Sequence, residues 1–305
     1  MENKRICIVR AKMKDDYVYD ALKKYGFEIY IPYKQKNLFM RILRELWFKL
    51  HLPKRSIWFN PQILESNANV FIVFDPLVVP ELLEWIKKRH SGARVILNYE
   101  NRADSTISPS SVSNGIEKWS YDKGDCEKYG MRFVKPSYYD IYSFDSCNNQ
   151  EKEIDILYLG RDKGRLNQIL NYQKLFEKQG LSTYFHICAD RSYMILKKRI
   201  YKPVIRYGEY LELLKKSKAI LNIARLDQDA VTQRELEVVF LNVKCITTNK
   251  SILCSELYDK SRYFVVGEDD IESLNEFLKT PFKPVSEEVL HSFSCCSRIK
   301  EMLSN

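Results

Sequence analysis

The sequence predicts an α/β protein of two domains, each a parallel sheet covered by helices, the pair facing a cleft. Short apolar runs alternate with amphipathic helical patterns along most of the chain, as strands buried on both faces between helices require. A polar stretch, "SFDSCNNQEKE" at residues 143–153, interrupts that alternation, which then restarts, so it reads as a linker. A chain of 305 residues is long enough for two ordinary cores. The expected division is 1–145, then 152–285, with 286–305 forming a C-terminal helix that packs back on the first domain.

In the first half the strand candidates are "RICIVR", "FEIYIP", "NVFIVFD", "RVILNY" and "IEKWSY". Helical patterns lie between them in "DYVYDALKKYG" and "PELLEWIKKRHSG", the second opened by a proline in its first turn and closed by Gly92. The second half restarts with "IDILYLG" and a helix over "RLNQILNYQKLFEKQG" ended by Gly180. Strands "STYFHICA", "AILNIA", "VKCITT" and "RYFVVG" follow, with helices "YLELLKKS", "TQRELEVVFLN" and "IESLNEFLK" among them. No repeat at a solenoid period and no low-complexity tract interrupts this order.

Residues that are 45% hydrophobic, 29% charged and 13% aromatic exclude a disordered chain. A formal net charge of +9 favours an anionic partner: nucleic acid, acidic lipid or a sugar nucleotide. The eight cysteines have no CxxC spacing, and Cys7, Cys188 and Cys245 stand in apolar runs, so they read as reduced, buried thiols. No secretory signal and no run long enough to span a bilayer is visible. The expected location is the cytoplasm, with a peripheral position at the inner face of a membrane.

Two segments carry chemistry. "YLGRDKGR" places Gly160 after a strand and Arg161, Lys163 and Arg165 before a helix. Glycine permits close backbone approach to an anion, and a helix start offers N–H groups and a positive dipole end. A solvated turn is the plain alternative. "AILNIARLDQDAVTQRELEVVFLN" reads as strand, polar loop and helix, with Thr232 as N-cap and Arg234 and Glu237 on one face. Arg234 could clamp a phosphate and Glu237 accept from a ribose diol; the plain alternative is an intrahelical Arg–Glu pair. Neither a Walker A loop nor a GxGxxG fingerprint occurs.

The runs "TQRELEVVFLNVKCITTNKSI", "IDILYLGRDKGRL" and "EKWSYDKGDCEKYGMRFVKPSYYD" resemble bacterial glycosyltransferases of lipopolysaccharide and capsular polysaccharide gene clusters. That resemblance covers most of the chain and implies the GT-B fold of two Rossmann-like domains: an acceptor-binding N-terminal one and a C-terminal one that holds the nucleotide sugar. Thr232, Arg234, Glu237, Lys244, Ile246, Thr247 and Asn249 match the family pattern. It implies Glu237 on the donor ribose, Arg234 on the diphosphate and the Gly160, Arg161, Lys163, Arg165 loop facing the phosphates. The sequence departs from the pattern in "DQDAV" before the threonine and in "EVVFLNV" within the helix.

Asp227 and Asp229 have the Asp-x-Asp spacing of a metal site, but the basic cluster can neutralise a departing diphosphate itself, so no metal and no other cofactor is expected. The four histidines have no ligand spacing; His186 reads as core. A base should come from the wall opposite the donor, and the candidates at strand ends of the first domain are Asp75, Glu100 and Asp104; Asp75 could instead cap the helix after Pro76. "NLFMRILRELWFKLHLPKR" places Leu38, Phe39, Ile42, Leu43, Leu46, Trp47 and Leu50 on one helical stripe, with Arg41, Arg44 and Lys49 elsewhere. A basic amphipathic helix with a tryptophan suits an anionic membrane carrying a lipid-linked acceptor; a helix packed on its own domain is the alternative. The rival readings are a non-catalytic sugar-nucleotide-binding scaffold and a nucleic-acid-binding protein, the latter disfavoured because no RRM, KH, zinc or helix-turn-helix signature appears.

Overall fold

The computed structural model describes residues 5–12, 16–34, 37–140, 152–191, 199–224 and 230–304. Two compact units divide the chain, Met1–Lys135 and Pro136–Asn305. Most of the expected linker, 143–151, and the Asp227–Asp229 motif lie outside the described residues.

The first unit runs β1 (Ile6–Val9), α1 (Tyr17–Lys24), β2 (Glu28–Tyr30), α2 (Leu38–Lys49), β3 (Val70–Phe74), α3 (Pro80–Arg89), β4 (Arg94–Tyr99), β5 (Glu117–Ser120), α4 (Lys123–Tyr129) and β6 (Arg132–Phe133). Its six strands form one sheet in the order β2-β1-β3-β4-β5-β6, every adjacent pair parallel. All of "VFIVF" in β3 is buried, because helices cover both faces of a parallel sheet and leave no solvent side for alternation. Pro80 opens α3 as expected. Helix α4, which apolar periodicity did not predict, is set by its ends: Asp122 accepts from the Asp125 N–H and Gly130 closes it in the left-handed region.

The second unit runs β7 (Ile154–Arg161), α5 (Leu166–Lys178), β8 (Thr183–Cys188), α6 (Tyr207–Lys215), β9 (Ser217–Asn222), α7 (Gln233–Phe240), β10 (Lys244–Thr247), β11 (Tyr263–Val265), α8 (Leu274–Lys279), α9 (Glu287–Ser292) and α10 (Cys295–Ser304). Its sheet has the order β11-β10-β9-β7-β8 and is parallel throughout. Successive residues of β7 feed opposite faces: Leu157 enters one core cluster with Leu236 and Val265, Ile156 and Tyr158 another with Ile169 and Phe176. Each fully buried side chain of this size contributes about 1.5–3 kcal/mol, and truncating Leu157 to alanine should cost about 2–5 kcal/mol. The 286–305 stretch, expected as a single helix returning to the first domain, is the pair α9 and α10 and belongs to the second unit. It is joined there by Tyr138, whose N–H donates to Phe293 O at 2.8 Å and whose carbonyl accepts from the Cys295 N–H at 2.9 Å. Cysteines 7, 188, 245 and 295 are buried, whereas Cys254 is exposed.

Helix α2 corrects the expected stripe. Arg44 and Trp47, read as outward-facing membrane contacts, turn inward. The Arg44 guanidinium lies 4.4 Å above the Tyr33 ring. Trp47 meets Trp58 at 6.0 Å and donates from Nε1 to Pro53 O at 2.9 Å. Phe48 packs on Tyr33 at 5.5 Å. The helix is thus fastened through aromatic faces and a stacked cation, and no residue of it is buried. No helix among the described residues is long and apolar enough to cross a membrane.

Candidate functional site

In the second sheet β7 is flanked by β8 on one side and β9 on the other. The chain leaves β7 for β8 and later returns to its other edge as β9, which makes the carboxyl ends of β7 and β9 a topological switch point, where open α/β sheets leave a crevice. A cavity of about 320 Å³ opens there, lined by Gly160, Arg161, Lys163, Arg165, Thr232, Arg234 and Glu237. These are all seven residues expected at a donor nucleotide, drawn from two segments far apart in sequence. Tyr158, Asn222, Ile223 and Gln233 complete the lining; sequence reasoning missed these four. Asn222 carried a signal, being the polar residue that ends the buried run "AILN".

The first wall is the end of β7 and the turn into α5. The strand runs through Gly160 to Arg161, so Gly160 is a strand residue and not the turn expected of it. A Cβ there would come 3.2 Å from the Tyr158 hydroxyl. The turn itself is made by Lys163 and Gly164, both left-handed at φ 47° and 76°. The Lys163 N–H is held by Asp190 Oδ1 at 2.9 Å. Arg161 donates to the carbonyls of Ala189 at 3.1 Å and Asp190 at 2.9 Å, and Arg165 to that of Ile223. The α5 start is not left open to an anion alone: Asp162 accepts from the Leu166 N–H at 3.0 Å and from the Tyr201 hydroxyl.

The second wall is the start of α7. Thr232 is the N-cap, as expected, and with Glu235 it forms a capping box. The Glu235 side chain is fully buried and gathers Asn222 Nδ2 at 3.1 Å, Thr247 Oγ1 at 2.7 Å and Asn249 Nδ2 at 2.9 Å. One turn of α7 therefore ties β9 to β10. Arg234 donates to Leu159 O of β7 and, at 3.4 Å, to Leu221 O of β9. Glu237 accepts from the hydroxyls of Tyr210 at 2.7 Å and Tyr207 at 3.3 Å. Rather than pairing with each other, the two residues are positioned separately. Burial pushes the Glu237 carboxyl above its ordinary range, opposed by the Arg234 charge and the two phenols.

Arg161, Arg165 and Arg234 hydrogen-bond to main-chain carbonyls and form no salt bridge with a carboxylate among the described residues. The buried Nε–H groups of Arg165 and Arg234 make no hydrogen bond. Three guanidinium charges thus converge on one recess whose lining carboxylate, Glu237, interacts with Arg234 alone of the three, which leaves the recess net positive and favourable to an entering anion.

The carboxylates expected as bases stand at or near the carboxyl edge of the first sheet. Asp75 follows β3 but is 1% exposed, its oxygens accepting from the Glu100 N–H at 2.7 Å and Asn101 Nδ2 at 3.2 Å. It does not cap α3, whose N-cap is Val79; it fastens the end of β4 instead. Burial raises its carboxyl from 3.8 to about 6. Glu100, after β4, accepts from Arg10 Nη2 at 3.2 Å, and the same guanidinium meets Asp16 at 2.5 Å. Arg10 closes β1 and was not singled out from sequence. Asp104 is half-exposed beside Arg102 at 3.4 Å. His186 is buried in β8 with Nε2 2.7 Å from Pro203 O, a core position as expected.

Three solved structures share this fold over nearly their whole length. AviGT4, a glycosyltransferase involved in avilamycin A biosynthesis, superposes with a TM-score of 0.59 at 11% identity, covering 98% of this chain and 96% of that one. The lipopolysaccharide outer core galactosyltransferase WaaB, in its apo form, gives 0.51 at 12% identity, with 98% of each chain covered. A glycosyltransferase from Rickettsia africae ESF-5 gives 0.50 at 10% identity, covering 99% of this chain and 97% of that one. No family model matches the sequence, and no curated protein matches it. The fold is therefore α/β with two Rossmann-like parallel sheets, of the GT-B type.

Proposed function

We propose that the chain is a nucleotide-sugar-dependent glycosyltransferase that moves a sugar to a hydroxyl of a cell-surface glycan or lipid-linked oligosaccharide, in lipopolysaccharide, O-antigen or capsule synthesis at the cytoplasmic face of a membrane. The observation that carries this reading is the convergence of Arg161, Arg165 and Arg234 on the switch-point cavity that also holds Glu237, which leaves it net positive. A diphosphate bound there meets fixed positive charge before its bond to the sugar breaks, which is the preorganised stabilisation that lowers the barrier to its departure. Glu237, its position set by two phenols, accepts from the ribose diol. The acceptor oxygen forms the new bond to the anomeric carbon as the carbon–oxygen bond to the diphosphate breaks. Its proton passes to a carboxylate; of the expected Asp75, Glu100 and Asp104, the latter two are the candidates, because Asp75 is buried with both oxygens engaged. Likeness to WaaB, a lipopolysaccharide galactosyltransferase, supports the acceptor class.

Because the protein supplies the positive charge, turnover should survive EDTA unchanged; loss of activity restored by a divalent ion would refute the metal-free reading. The decisive experiment titrates UDP, GDP and CMP against single-stranded DNA by calorimetry, followed by a screen for slow hydrolysis of nucleotide sugars. Nucleotide binding with donor hydrolysis is expected. Binding without hydrolysis or transfer points to a silent scaffold, and salt-sensitive DNA binding alone abandons the nucleotide site.

A further inference from the structure

We propose that the outward face of α2 and the segment following it dock on a bilayer containing anionic phospholipid. The inner side of α2 is already committed, to Tyr33 through Arg44 and Phe48 and to Trp58 through Trp47. What remains outside is apolar. Leu38 and Phe39 are each 70% exposed, Leu50 65%, and Ile42 and Leu46 49%. At about 100° per residue these five fall within one arc of roughly 120°. The helix thus presents its stripe to solvent, the reverse of a helix packed by its apolar face. Leu52 and Ile57 extend the exposed apolar surface beyond the helix end. A contiguous exposed patch of this kind marks a binding surface.

Charge selects the occupant. Arg41 beside the strip, Lys49 within its arc at the C-terminal end and Lys54 beyond the helix are exposed, against Glu45. A helix of 12 residues is about 18 Å long and lies in an interface, its apolar face sinking about 5–10 Å while the basic margin meets anionic head groups. Where α2 ends, His51 and Lys54 adopt left-handed backbones at φ 53° and 57° and bend the chain around a cavity of about 510 Å³ that also touches Arg55 and Trp85. Glu81 also lines it and pairs with Arg55, so anionic head groups are met by the exposed Arg41, Lys49 and Lys54 and not by this recess. Aromatic packing on the inner side holds the strip outward, so docking requires no rearrangement of the unit.

The full-length protein should sediment with vesicles of phosphatidylcholine and phosphatidylglycerol, less with phosphatidylcholine alone, and less as salt is raised. The triple variant L38E/I42E/L46E, at exposed positions, should lower partitioning at least ~10-fold with unchanged circular dichroism and unchanged UDP affinity. Replacing Arg41, Lys49 and Lys54 with alanine should abolish the preference for anionic vesicles while leaving residual binding. Undiminished binding by the triple variant overturns the proposal, as does failure of the wild-type chain to bind either vesicle. A dimer that the triple variant converts to monomer, without vesicle binding, assigns the face to a second copy and also overturns it. The vesicle arms need no nucleotide, so the outcome stands apart from that of the donor site.

Discussion

Arg234 joins two strand ends, donating to Leu159 of β7 and Leu221 of β9, so its removal acts on stability as well as on binding. Arg234→Ala should cost about 1–3 kcal/mol through carbonyls left unpaired and reduce UDP affinity beyond detection in calorimetry. A variant that melts earlier yet binds UDP normally would make Arg234 purely structural. Asp75 gives a pH signature. Its folded carboxyl titrates near 6 against 3.8 when unfolded, so the native state binds the extra proton between those values. Stability from this group is complete below about pH 4 and is lost as pH rises through 6, a difference of about 3 kcal/mol. Asp75→Asn should flatten that slope in urea titrations run from pH 4 to 7, and an unaltered slope rejects the assignment.

At the scale of elements, α7 is specified by its first turn. Thr232 was legible as N-cap from its place before the helical pattern, while the capping box it forms with Glu235 is a Thr-x-x-Glu spacing the sequence reading did not use. The burial of Glu235 was not legible, because its partners Asn222, Thr247 and Asn249 arrive from other segments. Glu235→Gln should cost about 2–3 kcal/mol in urea unfolding as the charged acceptor of several bonds is lost; a cost within error would mean the web contributes little. Strands were readable where apolar runs are continuous, as in β3 and β4, and helices where the stripe is long. The facing of α2 was not readable. Its spacing marks an apolar stripe, but only the aromatic plates of Tyr33 and Trp58 decide that Arg44 and Trp47 turn inward. Gly160 was likewise misplaced, since a glycine near a strand end does not reveal whether the turn lies there or at Lys163 and Gly164.

For the molecule as a whole, the two-domain α/β fold followed from the alternation of patterns, while the exact division at Lys135 did not, because Tyr138 is claimed by a distant partner, Phe293. Every residue lining the switch-point cavity belongs to 136–305, and that unit has its own core clusters. Residues 136–305 produced alone should fold and bind UDP with the affinity of the full chain; a folded fragment that fails to bind would place part of the site elsewhere. Thr232 faces the cavity while its hydroxyl accepts from Asn222 and from the Glu235 N–H, so one side chain serves two masters. Selection cannot retune the pocket at this threonine without loosening the scaffold beneath it. Changes in donor preference among relatives of this chain should therefore accumulate at Gln233, which borders the same recess but anchors no such web.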